Sequence, residues 1–166
     1  MWIISGRFAF GELVIHLWGM KNLDVSGEVI RHEYKVRVQY ADTDRMDMVY
    51  HGTYARFLEA ARVEMLRDLG FVYAELEASG VLLPVVQLNM GFKKPARYDE
   101  VLSVFTRVVR TPTSRLDLSC QIECNGSLLV DAEVILVFVN RDTGKPMRAP
   151  KALVEAIERS GLLKLS

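Results

Sequence analysis

Three aspartates stand close together ahead of a helical pattern: Asp42, Asp44 and Asp47, in the run YADTDRMDMVYHGTY. A carboxylate set just before a helix start suits acyl-transfer chemistry. The first N–H groups of a helix have no partner within it and carry partial positive charge. They can hold an oxyanion as it develops, while the carboxylate acts as base or nucleophile. Residue type alone makes each of these acids a turn or capping residue as readily as a catalytic one. Asp42 is assigned to the turn.

Such chemistry needs a rigid element on each side. Upstream, His32 to Tyr40 alternates: His32, Tyr34, Val36, Val38 and Tyr40 share one face, and Glu33, Lys35, Arg37 and Gln39 the other. This is the pattern of a half-buried antiparallel strand, with His32 at its start and not a ligand. Downstream, Tyr54, Phe57, Leu58, Ala61, Met65 and Leu69 recur at helical spacing. Glu59–Arg62 and Glu64–Arg67 are i,i+3 pairs on that helix, and Gly70 is placed to end it. A short helix is expected over Tyr73–Ala78. Four further strands follow: Leu83–Lys93, Glu100–Arg110, Leu116–Cys124 and Ser127–Val139. In the third of them Asp117, Ser119, Gln121 and Glu123 are expected to face outward. Asn125-Gly126 marks a hairpin between the last two. The basic loop NRDTGKPMRAP and an amphipathic helix over Lys151–Leu163 complete the chain. The order strand, long helix, short helix, four strands predicts an α+β fold: one curved five-stranded antiparallel sheet against a helix.

The 166 residues carry 21 basic and 21 acidic side chains and 50% apolar residues. That suits one domain with a self-sufficient core, and no net field attracts nucleic acid or an anionic membrane. Cys120 and Cys124 lie too far apart on one strand to bridge. They are expected as reduced core thiols of a cytoplasmic protein, with no metal role. Residues 1–19 are apolar but interrupted by Arg7 and Glu12, which fits neither a signal peptide nor a membrane span. They are expected to be an upstream extension, with Met20 as the natural start, or else an N-terminal arm, with 20–166 as the single domain.

The stretch YADTDRMDMVYHGTYARFLEAARVEML, with PARYDEVL and TGKPMRAP, resembles the hotdog-fold acyl-CoA thioesterases of the 4-hydroxybenzoyl-CoA thioesterase type, particularly the Tol-Pal-associated bacterial branch. The likeness covers about Tyr34 to Leu153. It implies a hotdog fold, a sheet wrapped around a long central helix, and hydrolysis of acyl-CoA to a carboxylic acid and CoA. It implies that Asp44 is the catalytic acid, as nucleophile or general base, and that the backbone N–H of His51 polarises the thioester carbonyl. One departure from the family pattern is Asp47, where many members have glycine. Aspartate tolerates left-handed backbone better than most residues, yet Asp47 also sets a second charge near Asp44.

Val49, Tyr50 and Tyr54 are expected to wall the acyl site. Glu64 is a rival acid on the helix, more simply read as salt-bridged. Asp99 and Glu100 are expected to hold the PARYDE turn. By the resemblance, Ser114, Arg115, Lys145 and Arg148 are candidates for the CoA phosphates, often across a subunit interface. No Gly-rich phosphate loop is present, so no cofactor is expected beyond the CoA of the substrate. A homodimer or homotetramer is expected, with no nucleic acid and no integral membrane segment. Two rivals keep the fold: a non-catalytic acyl-CoA-binding module and a hydratase or dehydratase.

Overall fold

The computed structural model describes residues 22–24 and 30–163. The expected extension over 1–19 and the start at Met20 lie outside the described residues. Among the described residues, eight strands and three α-helices follow in order: β1 (Leu23–Asp24), β2 (Arg31–Arg37), α1 (Thr53–Asp68), α2 (Tyr73–Ala78), β3 (Val81–Leu82), β4 (Val85–Phe92), β5 (Val101–Val108), β6 (Arg115–Cys124), β7 (Ser127–Val137), β8 (Val139–Asn140) and α3 (Lys151–Ser160). A six-stranded antiparallel sheet runs in the order β1-β2-β5-β6-β7-β4, and β3 pairs with β8 apart from it. The five expected strands are β2, β4, β5, β6 and β7. The sixth is the two-residue β1, which adds to β2 with Leu23 opposite His32.

Two of the expected strands are broken in the structure. Leu83–Lys93 does not form one strand. The chain breaks at Pro84, which has no N–H for a ladder, so β3 ends before it and β4 begins after it. The last strand is interrupted at Phe138, whose N–H turns to the Ser114 carbonyl at 3.0 Å.

Helix α1 places Tyr54, Phe57, Leu58, Ala61, Met65 and Leu66 in the core. Against them stand Leu102, Val104, Leu116, Leu118, Ile122, Val130 and Leu136 from the sheet. Fully burying one such large side chain contributes about 1.5–3 kcal/mol, which fixes the helix to the sheet more firmly than its own propensity does. The helix ends at Gly70, whose φ of 91° only glycine adopts without strain. Both i,i+3 pairs form, Arg62–Glu59 at 3.7 Å and Arg67–Glu64 at 3.3 Å.

One side chain expected to face outward is buried. Asp117 forms ion pairs with Arg110 and Arg115, so its charge is neutralised where its strand position alone would expose it. His32, at the start of β2, is fully buried with Nε2 3.1 Å from the Asp68 carboxylate. Cys120 and Cys124 are free and buried.

Candidate active site

Between β2 and α1 the chain folds into a small closed turn. Residues Tyr40–Asp42 form one turn of 3-10 helix. The Asp42 carboxylate, 2% exposed, accepts the Gln39 N–H at 2.8 Å and pairs with Arg56 from the start of α1. The Asp42 carbonyl accepts the Tyr50 N–H at 2.9 Å and the Thr53 hydroxyl at 3.4 Å. Asp42 thus fastens strand, turn and helix together, as its assignment to the turn anticipates.

Asp44 sits on the loop that this frame holds. Thr43 and Val49 form an antiparallel bridge, and the Asp44 N–H donates to the Met48 carbonyl at 2.9 Å. Oδ1 of Asp44 accepts the Met46 N–H at 2.8 Å. Its Oδ2 has no partner among the described residues. The loop turns at Asp47, which has φ of 55°, the left-handed region where glycine is the usual choice. The Asp47 carbonyl accepts a bond from Arg97 at 3.3 Å.

Helix α1 begins beside this carboxylate. It has no side-chain cap and no acidic residue in its first turn. The His51 and Gly52 N–H groups have no acceptor among the described residues. Its positive end is therefore neither quenched nor filled, which is what an oxyanion donor requires. The His51 ring lies against Tyr50, with centroids 4.3 Å apart. Tyr50 in turn covers Gly52: a Cβ there would lie 2.7 Å from the tyrosine ring, so the close approach uses the missing side chain.

Asp44, Val49, His51 and Tyr54 line one cleft of about 320 Å³. Tyr54 is both core and wall. Its hydroxyl accepts the Ala96 N–H at 3.0 Å, and its ring meets Phe92 edge-on at 5.6 Å. Burial raises the pKa of this phenol, so it remains a protonated hydroxyl at neutral pH. Tyr50 stands exposed beside the cleft and does not line it.

The opposite wall was not singled out in the sequence. Phe92, Lys93, Lys94 and Pro95 form it, with Met46 and Met48 at the rim. Lys93 pairs with Asp131 at 3.1 Å. The signal that could have found this wall is GFKKP, where an alternating strand ends in two adjacent cations. Glu64 is paired with Arg67, outside the cleft. Asp99 pairs with Arg37 at 3.0 Å, and Glu100 accepts the Arg97 N–H at 2.8 Å, so both hold the PARYDE turn.

Ser114, Arg115, Lys145 and Arg148 gather at the other end of the sheet. Phe138 bonds to Ser114 and, through its carbonyl, to Met147, while Ala149 donates to Thr113. Phe92, in the Asp44 cleft, is level with Val130 on β7, whereas Arg115 is level with Val137. Seven strand residues separate the two levels, roughly 23 Å. Within one chain the four basic-loop candidates come together but do not reach Asp44. Among the described residues, no cluster of His, Cys, Asp or Glu could hold a metal, and no helix is long and apolar enough to cross a membrane.

A curved antiparallel sheet around a long central helix is the architecture of the hotdog-fold thioesterases. The sequence profile of the Thioesterase-like superfamily matches residues 38–157, and the chain belongs to that family. It is 36% identical over 122 residues to the acyl-CoA thioester hydrolase YbgC of Escherichia coli O6:H1, covering 73% of this chain and 91% of that protein. The structure of the DHNA-CoA thioesterase of Staphylococcus aureus matches with a TM-score of 0.68 and 35% identity, over 70% of this chain and 78% of that one. The hypothetical protein TT1821 of Thermus thermophilus matches with a TM-score of 0.72 and 35% identity, over 76% and 96%.

Proposed function

We propose that this chain hydrolyses acyl-CoA, with Asp44 as the reacting carboxylate and the His51 N–H as the oxyanion donor. The observation that carries the reading is the shared cleft: a carboxylate with one oxygen uncommitted faces a helix start with no cap. The E. coli relative is an acyl-CoA thioester hydrolase, which supports acyl-CoA as the substrate class. As general base, Asp44 takes a proton from water as the water oxygen attacks the thioester carbon. As nucleophile, its Oδ2 attacks directly, giving an anhydride that water then opens. In both routes the carbonyl oxygen gains charge that the N–H holds in place, the C–S bond breaks, and the CoA sulfur leaves and is protonated. Removing one such donor costs about 2.7–4 kcal/mol of barrier stabilisation.

Two copies pair along β4 in this reading. Among the described residues the outer edge of β4 has no strand partner, and Val85, Val86, Leu88 and Phe92 are exposed along it. An antiparallel two-fold pairing of β4 with itself would bring the Arg115 and Arg148 end of one chain toward the Asp44 end of the other. The basic loops would then serve the CoA phosphates of the neighbouring site.

The test is thiol release from a panel of acyl-CoA thioesters, with Asp44→Ala alongside. Hydrolysis by the parent and a loss of at least about a hundredfold in kcat in the variant are expected. Hydrolysis that survives Asp44→Ala, or none with any acyl chain, overturns the assignment.

A further inference from the structure

Arg62 lies on the buried face of α1, beside Leu58, Ala61 and Met65, and is 5% exposed. Its Nε has no hydrogen-bond partner among the described residues. The nearest acid is Glu59, 3.7 Å from a terminal nitrogen and itself 67% exposed, so that pair is loose and hydrated. Arg56, the other cation on this side of the helix, is committed to Asp42. A buried guanidinium with an empty donor is unfavourable unless an acceptor reaches it.

Arg62 lines a cavity of about 450 Å³ between α1 and the sheet. Leu58, Leu88, Leu118 and Val134 make its walls apolar, and Val85 and Leu88 are exposed on the β4 edge. No residue lines both this cavity and the Asp44 cleft, but Leu58 lies one turn beyond Tyr54 on α1. Tyr54 and Phe92 border the first cleft. Arg62 lies eight residues further along α1, about 12 Å. Leu88 lies four residues back along β4, about 13 Å. The cavity therefore lies beside the Asp44 cleft along α1 and β4, with Arg56, Glu59 and Arg62 set among its apolar walls.

We propose that this cavity receives the distal part of the acyl chain and that Arg62 binds a carboxylate at its far end, which makes dicarboxylic acyl-CoA thioesters the preferred substrate class. The assignment rests on the thioesterase reading of the Asp44 cleft. The spacing, less the reach of the arginine, suits a chain on the order of six to eight carbons. The terminal nitrogens of Arg62, whose ion pair with Glu59 is loose, give a terminal carboxylate a charge-assisted bond that a methyl terminus cannot make.

The experiment is calorimetric binding to the Asp44→Asn protein, which removes turnover. Hexanedioyl-CoA is compared with hexanoyl-CoA, and octanedioyl-CoA with octanoyl-CoA. At one length or both, the dicarboxylic thioester is expected to bind about tenfold or more tightly than its match. That preference is expected to vanish in Arg62→Met, to survive in part in Arg62→Lys, and to grow in Glu59→Gln, which removes the competing charge. Should Arg62→Met fail to fold, Arg62→Lys and Glu59→Gln carry the comparison. Equal affinities, binding of neither partner, or a preference indifferent to Arg62 and Glu59 overturns the proposal. Failure of the thioesterase reading is seen separately, as thioesters that the parent binds but does not hydrolyse.

Discussion

Asp42 holds the loop of the proposed catalytic Asp44 without lining the cleft, so its removal separates positioning from chemistry. Its carboxylate accepts the Gln39 N–H in a buried setting. A hydrogen bond of that charge-assisted kind contributes about 1.5–3 kcal/mol. The ion pair with Arg56 adds less, about 0.2–1 kcal/mol, because the Arg56 side chain is 62% exposed and water takes over when the partner goes. Asp42→Ala is therefore expected to lose about 2–3 kcal/mol of folding free energy. Asp42→Asn keeps an acceptor for Gln39 and should lose about 1 kcal/mol. The Asp42 carbonyl also holds Tyr50 and Thr53 on either side of His51, so a shift in this turn moves the proposed oxyanion donor. A fall in kcat with KM little changed is expected in the alanine variant, with most of it restored in the asparagine variant. Urea unfolding followed by far-ultraviolet circular dichroism reads the first effect, and steady-state thiol release the second. An alanine variant within about 0.5 kcal/mol of the parent, or one destabilised yet fully active, would refute the reasoning.

Asp47→Gly should keep the turn and change stability by less than about 1 kcal/mol, since relief of the left-handed backbone is offset by a freer unfolded chain. Asp47→Val should cost about 1–2 kcal/mol or more, and thermal melting that fails to separate the two variants would count against a conformational role. Burial lowers the pKa of His32 below its ordinary 6.5, while Asp68, Glu64 and Glu33 act in the opposite direction. The unfolded chain then takes up the proton first as pH falls, so stability is full above 6.5 and declines below it, toward the folded pKa. Urea midpoints from pH 7 to about pH 5 should show that decline, and His32→Gln should flatten it; parallel profiles would exclude His32 as the cause. Burial pushes the Cys120 thiol up to about 11, and Cys124 is raised by the same cause. Neither should react with a disulfide reagent in the native protein near neutral pH, and both should react in urea; rapid native labelling would contradict their placement.

The near half of the candidate cleft was legible as a grouping because it is local in sequence. Asp44, Val49 and His51 lie within eight residues, and strand alternation on one side and helical spacing on the other fix how they are presented. Phe92 to Pro95 were not legible as the facing wall. They arrive through a strand pairing with β7, a distance in sequence that no periodicity reports. Asp117 defied its alternation because two arginines flank it in space, and period-2 patterning records side but not partners. Arg62 was read only as half of an i,i+3 pair. The pairing is real, but its looseness and the vacant Nε emerge only once the sheet is packed against the helix. Pro84 carried the signal for the break between β3 and β4, which the apolar run around it masked.

The loop that carries Asp44 is closed at its base by the Thr43–Val49 bridge and the bond from Asp44 to Met48. Arg45, Met46 and Asp47 project from that base into solvent. The acid's position is thus set by main chain, while the side chains at 45 and 46 are free to vary and position 47 keeps only its backbone requirement. A loop of this build separates a constant frame from an exchangeable rim. Substitution at 45 or 46 can reshape what approaches the carboxylate without displacing it, so the two can diversify on independent schedules.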